Sequence, residues 1–469
     1  MTMLRGVVVL IGVLVGLLSW QVTQAITSLS DGAPGLDDPY FPTLGNGGYD
    51  VLHYTLDIAW EEASNVIDGL ATLDAQATQD LARFNLDLGG FEVLAARIDG
   101  QDVSFSRAGR ELTLEARRAL LRGQRFQAQI AYRGVPQQGV ESLIDLPFGN
   151  GWERHAQGVY VASQPQGASL WFPSNDHPLD KATYTFHVTV PKPYVVAANG
   201  VLIATEDLGT HTRATWEVRQ PMASYLATVN IGRFALVEGR ADSVLLRDYY
   251  PARLVHELEP VFASTPQMIA FFSNIFGPYP FETYGVVVAE ARLAFALETQ
   301  TLSLFGANIR NYHDAEEVVA HELAHQWFGN SVSPSNWREI WLNEGFATYA
   351  SALWYEHAYG QERFQAFMDD LYRVIAEPSF VASAPLIGDP GAADMFHIAV
   401  YYRGAWTLHA LRQRVGDDAF FRILRRYYAA HANGHATTDG FIALAEAESG
   451  HELGDFFRAW LYEKPVPGR

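Results

Sequence analysis

Residues 314–330 read DAEEVVAHELAHQWFGN, and the spacing within them decides what kind of molecule the chain encodes. Asp314 followed three positions later by Glu317 predicts a helix start of capping-box type, and Gly329 with Asn330 predicts its end. On that helix His321 and His325 stand four residues apart. At 3.6 residues per turn both imidazoles leave one face, close enough to share a zinc ion, while Glu322 is turned slightly aside, within reach of a water beside the metal.

An HExxH string is short, so its neighbourhood has to supply a third ligand. Residues 335–360, SNWREIWLNEGFATYASALWYEHAYG, predict a second helix ending at Gly360, and Glu344 on it lies nineteen positions beyond His325. Two histidines and one carboxylate leave a fourth position open for water, as hydrolytic zinc sites require. The competing reading is a helix with two solvated histidines and an unrelated glutamate. His431 and His435 share the four-residue spacing, but they straddle Asn433 and Gly434 and lack an adjacent glutamate, which predicts a surface loop. His313 beside Asp314 reads as polar loop.

The chain around these motifs has 469 residues, enough for two or three domains and a sizeable core. Hydrophobic residues make up 48% and charged residues 18%, the balance of a packed globular protein. With 33 Lys and Arg against 53 Asp and Glu, the formal net charge of −20 repels phosphate backbones and anionic bilayers, which argues against a nucleic-acid partner. There is no cysteine. Disulfides, thiolate metal sites and cysteine nucleophiles are therefore excluded, and any metal falls to His, Asp or Glu.

Upstream the hydrophobic period is two. Tyr54, Leu56, Ile58 and Trp60 alternate with polar or small residues, as do Phe84, Leu86 and Leu88, then Phe126, Ala128, Ile130 and Tyr132, and most clearly Tyr184, Phe186, Val188 and Val190. Residues 51–245 thus predict a β-rich domain of antiparallel sheets with one face buried. From 246 to 469 helical spacing takes over: Leu254, Val261, Met268, Ile269 and Phe272 suit one amphipathic helix, FRILRRYYAAHA (421–432) and DGFIALAEAE (439–448) two more. The expected fold class is α+β. Residues 1–25 place Arg5 before an apolar run from Gly6 to Trp20 and reach small Ala25, which predicts a signal peptide or N-terminal anchor. The run is shorter than the ~20 residues that span hydrocarbon, which favours cleavage near Ala25 and an extracytoplasmic protein, secreted or attached to the cell envelope. Residues 26–50 are dense in Gly, Pro, Asp and Ser and predict a lead-in loop, its GNGG cluster being turn chemistry.

HELAHQWFGN (321–330) followed by WLNEGFATY (341–349) resembles the zinc signature of the zinc aminopeptidases of the aminopeptidase N type, gluzincin metallopeptidases that also include the leukotriene-epoxide hydrolase. The resemblance implies a β-rich N-terminal domain docked on a mainly α, thermolysin-like catalytic domain. It implies one zinc ion held by His321, His325 and Glu344, with Glu322 as the base that activates water and then hands the proton to the leaving amine. LAFALETQTLSLF (293–305) falls where this family carries its exopeptidase motif, usually Gly-Ala-Met-Glu-Asn; the matching positions are Phe295, Ala296, Leu297, Glu298 and Thr299. The resemblance assigns Ala296 and Leu297 to substrate contact and Glu298 to the substrate's α-ammonium, an anionic anchor that a cation in a partly desolvated cleft needs. Phe295 and Thr299 depart from the pattern and leave the shape of the first specificity pocket open. Read without the family, Glu298 is equally a salt-bridged structural group.

VYYRGAWTLHALRQRVG (400–416) is similar to the family's Tyr-x-Lys-Gly segment, with Tyr401 at the catalytic tyrosine, Arg403 at the lysine and Gly404 at the glycine. Tyr401 would donate a hydrogen bond to the oxyanion, and Tyr402 is the alternative register. SQPQGASLWFPSND (163–176) resembles the segment whose Gln or Glu helps hold the substrate amine, and the match falls on Gln166. These likenesses imply a zinc-dependent aminopeptidase acting on peptides with a free N-terminus. They imply a short two-domain form without the large helical C-terminal domain of longer members, touching a membrane only through an uncleaved N-terminal segment. The alternatives are an endopeptidase or epoxide hydrolase using the same zinc, and a non-catalytic interaction scaffold of the same fold, which would be expected to lose the ligands or base that stand here.

Overall fold

Period-two alternation becomes an eight-stranded sheet. In the strand Tyr49–Glu61, Val51, Tyr54, Leu56, Ile58 and Trp60 face the core, and a bulge between Val51 and His53 supplies the extra residue that keeps Val51 and Tyr54 on one side. Lys181–Pro191 alternates without interruption. In spatial order the sheet runs Val201–Asp207, His211–Ala223, Lys181–Pro191, Tyr49–Glu61, Val66–Ala77, Arg125–Gly134, Glu92–Ile98 and Gln101–Asp102. Lys181–Pro191 pairs with Tyr49–Glu61 in parallel; the other neighbours are antiparallel. Two four-stranded sheets complete this part, one built around Leu81–Asp87 and Glu111–Leu120, the other around Gly158–Ala162 and Val229–Gly232. This computed structural model describes residues 30–136 and 150–468; the export reading of residues 1–25 lies outside them.

The second part is mainly helical but opens on a sheet. The hairpin Phe234–Ala241 and Val244–Pro251 is extended in parallel by Val286–Ala289 and then Ser303–Gly306. Every residue of the last two strands is buried. Short apolar runs covered on both faces carry no alternation, so the sequence pattern does not announce them. The boundary expected at 245/246 falls within the strand Val244–Pro251. The single helix expected over Leu254–Phe272 is interrupted: Val255–Leu258 gives way to a 3₁₀ turn over Glu259–Phe262, and Thr265–Phe276 restarts with proline in its first turn. Pro260 has no N–H to continue the ladder and crowds the preceding turn, whereas Pro266 sits where that N–H is not needed. The two later helices form as Asp417–His431 and Thr438–Ser449.

Polar cross-links join the two parts. Asp38 in the lead-in segment is buried and accepts from the backbone of Tyr40, Phe41 and Trp337 and from His177 Nε2 at 2.8–3.1 Å. His435 Nε2 lies 2.8 Å from the Pro178 carbonyl. Within the helical part, Arg403 reaches from the helix Ile398–Val415 to the carbonyls of Ala459, Trp460 and Lys464 at 2.6–3.1 Å, closing the C-terminal end of Gly454–Leu461, where helix carbonyls lack partners. Among the described residues no helix is long and apolar enough to cross a membrane.

Candidate metal centre and active site

The helix carrying the histidines spans Ala315–Ala324, with His325 as its C-cap. It ends earlier than Gly329 predicts. Residues 325–332 instead form a tight turn in which Asn330 N–H bonds to the His325 carbonyl and Ser331 N–H to that of Gln326. Asp314 occupies the N-cap, but its side chain makes no capping bond; its carboxylate lies 3.6 Å from Arg363. The i,i+4 geometry survives through the His325 N–H to His321 carbonyl bond of 3.2 Å. The Glu344 helix, Trp341–Tyr359, is buried on every side from Trp341 to Tyr355, so its sequence carries no clear polar stripe. Ser351 Oγ ties it to the Glu317 carbonyl of the histidine helix at 3.0 Å.

Three ligand atoms converge between these helices. His321 Nε2 lies 3.0 Å from His325 Nε2 and 3.3 Å from Glu344 Oε2, and His325 Nε2 lies 3.4 Å from the same oxygen. A tetrahedral ion with ligand bonds of about 2.0–2.1 Å has donor-to-donor edges of about 3.3 Å, so this triangle has the dimensions of one face of a zinc tetrahedron. The outer nitrogens agree. His325 Nδ1 lies 3.0 Å from the Phe328 carbonyl and His321 Nδ1 3.5 Å from Thr348 Oγ1, which turns both Nε2 lone pairs inward. His321, His325 and Glu344 are positioned to chelate one zinc ion.

The charges around the triangle are lopsided. Glu298, Glu322 and Glu344 are all buried, and Glu298 and Glu322 each bring an oxygen within 4.8 Å of a His325 nitrogen. Burial opposes a charge at His325, but Glu344, Glu298 and Glu322 outweigh it, so the position favours a positive charge. Burial likewise works against ionised Glu344, yet the two imidazoles hold it down at about 2. Burial pushes Glu322 well above the usual carboxylate range. So many carboxylates around two rings form a cavity for positive charge.

Tyr401 stacks on His321 with ring centroids 5.9 Å apart and planes 19° from parallel. Burial, then the charges of Glu344, Glu298 and Glu322, keep its phenol protonated. Tyr402, one position on, has its phenol raised by burial first and then by the charge of Glu317, not by the three site glutamates. The Tyr401 and Glu344 helices meet backbone to backbone: a Cβ on Gly345 would stand 2.8 Å from Gly404 Cα, and one on Gly404 would stand 2.7 Å from Gly345 Cα.

Glu298 follows a short bridge in which Leu297 and Leu304 exchange both backbone bonds, so the N–H and C=O of Ala296 point to the opposite edge. Phe295 packs against Tyr160 with centroids 6.5 Å apart. Thr299 bonds through its hydroxyl to the Leu302 carbonyl and closes the turn beyond Glu298. The glutamine that meets Glu298 is Gln164, whose Nε2 donates to Glu298 Oε1 at 3.0 Å. Gln166 is buried close by, but its Oε1 accepts from Arg110 at 2.8 Å, and its Nε2 finds no partner among the described residues. Two glutamines flanking one proline give the sequence no means of choosing between them. Sequence reasoning also missed Gln326 and Asn330, whose side-chain amides both donate to the Glu298 carbonyl, at 3.2 and 2.6 Å.

Residues 50–226 match the Peptidase M1 N-terminal domain and residues 261–460 the Peptidase family M1 domain. A variant M1 zinc metallopeptidase from Deinococcus radiodurans, bound to a Tyr-Ser-Ala substrate, superposes with a TM-score of 0.83 at 33% identity, covering 92% of this chain and 99% of that one. A two-domain M1 zinc metallopeptidase variant bound to L-tryptophan gives 0.84 at 32% identity, with the same coverage. Aminopeptidase 2 of Candida albicans is 27% identical over 436 residues, 87% of this chain and 46% of that protein. The chain spans about half the length of the curated relatives it matches. With both domains matched in order, and a solved structure above 30% identity covered almost end to end, the chain belongs to the M1 family of zinc metallopeptidases.

Proposed function

We propose that the chain is a zinc-dependent aminopeptidase that releases the N-terminal residue of peptides. The observation that carries this reading is the charge of the cavity: three buried carboxylates, Glu298, Glu322 and Glu344, answer one divalent ion and one ammonium together. Zinc held by His321, His325 and Glu344 supplies Lewis acidity there. Glu322 takes the proton from the attacking water and delivers it to the leaving amine. Tyr401 donates its hydroxyl hydrogen to the oxyanion. Glu298, steadied by Gln164, receives the α-ammonium, and the free backbone edge at Ala296, next to Leu297, pairs with the extended substrate. Gln166 joins the ammonium site by exchanging Arg110 for the substrate. Substrate enters between a β-rich domain over 51–245 and a catalytic domain over 246–469, and residues 1–25 direct export to the envelope or beyond it. The tripeptide on the Deinococcus relative and the free amino acid on the two-domain relative belong to the substrate and product classes of such a cleavage.

The test is a panel of L-aminoacyl arylamides beside their N-acetylated counterparts. Hydrolysis of the free-amine compounds alone, abolished by chelation and restored by zinc, is the expected result. Comparable cleavage of acetylated compounds, or of internal bonds in blocked peptides, would move the reading to an endopeptidase.

A further inference from the structure

Lys181 opens a strand of the large sheet, yet its side chain ends in the other part of the molecule. Its ammonium donates to the carbonyls of Asn330 and Ser331, both at 2.9 Å. Burial pushes it down to about 7, and both of its hydrogen bonds go to carbonyls, which carry no charge. Lys181 is half-buried, and drawing an ammonium even partly out of water is costly where a methionine would fill the same volume without that cost. The turn it grips also supports Glu298. Asn330 Nδ2 and Gln326 Nε2 both donate to the Glu298 carbonyl, and Gln326 Oε1 accepts from the Thr301 N–H at 2.9 Å. Lys181 is the charged donor on this turn; Tyr225 and Ser333 on the Gly329 carbonyl, Ser333 again on that of Asn330, and the Asn433 N–H on Ser331 Oγ are neutral.

We infer that Lys181 is a positioning residue for Glu298: by fixing the Asn330 and Ser331 carbonyls it sets where the Asn330 and Gln326 amides hold the Glu298 main chain, and so tunes the recognition of a substrate amine from the far side of the domain junction. The inference rests on the reading of Glu298 as the ammonium anchor. It identifies Lys181 as selective for the amine and indifferent to the rest of the ligand.

The experiment uses the zinc-loaded full chain and two competitive ligands, L-leucinamide and its desamino analogue 4-methylpentanamide. Lys181→Met is expected to weaken L-leucinamide about tenfold and the desamino analogue less than about twofold. KM for L-leucyl arylamide should rise while kcat and zinc content stay close to the parent, and Lys181→Arg should recover most of the loss. Equal weakening of both ligands, or no weakening of either, overturns the inference. Should Lys181→Met fail to fold, Lys181→Gln keeps one donor toward the carbonyls and is judged by the same selective loss. If the parent protein binds the two ligands equally well, the reading of Glu298 itself fails, before any variant is considered.

Discussion

Tyr401 and Tyr402 are neighbours in sequence but point about 100° apart around one helix, so they meet different surroundings. Tyr401 lies over His321 and Tyr402 near Glu317. Tyr401→Phe is expected to lower kcat by about 10²–10³ without changing the thermal midpoint, and Tyr402→Phe to leave kcat near the parent value; steady-state kinetics with a melting curve for each variant checks both. At this scale the metal ligands were legible because their geometry is local or carried by a familiar motif: four residues along one helix for His321 and His325, and the NEGF text for Glu344. Gln164 was not legible. Its partner Glu298 is 134 positions away, and nothing in SQPQ tells which glutamine faces it. Gln326 and Asn330 lie 28 and 32 positions from Glu298, and their amides look from the sequence like ordinary turn residues.

Among the elements, the crossing of the Glu344 and Tyr401 helices is the most demanding, since Gly345 and Gly404 leave no room for a methyl group between them. Gly404→Ala should cost about 1–3 kcal/mol by overpacking, although alanine is the better helix former by about 1 kcal/mol. Its kcat should fall as Tyr401 moves off the metal site. Gly454→Ala, at the start of a helix with open space around it, should be neutral or slightly stabilising; urea unfolding of the two variants side by side makes the comparison. The amphipathic helices over 417–431 and 438–449 could be read because each has one wet face. The strands Val286–Ala289 and Ser303–Gly306 could not, being buried throughout with no alternation, and the histidine helix stops short of Gly329 because a glycine-bearing turn takes over at His325.

Across the whole molecule the two parts meet through polar bonds between residues far apart in sequence, and one of these titrates. Burial pushes His435 down to about 4, helped by the charge of Lys181 and by His177. Unfolded histidine titrates near ~6.5, so between pH 4 and 6.5 the unfolded chain binds a proton that the folded chain refuses. Stability therefore rises with pH through that window and is lost on acidification, by up to ~3 kcal/mol. His435→Gln keeps a donor for the Pro178 carbonyl and does not titrate. Urea unfolding at pH 7 and pH 4.5 should show a smaller acid loss in this variant than in the parent. The split into a β-rich part and a helical part was legible from the change of period; the stitching through Asp38, Lys181 and His435 was not, since each bond joins residues with no common pattern. The glycine-to-glycine crossing carries a mechanical consequence. With no side chains between them to slide or repack, the backbones bearing Glu344 and Tyr401 are locked in register, so a displacement of either helix passes directly to its partner.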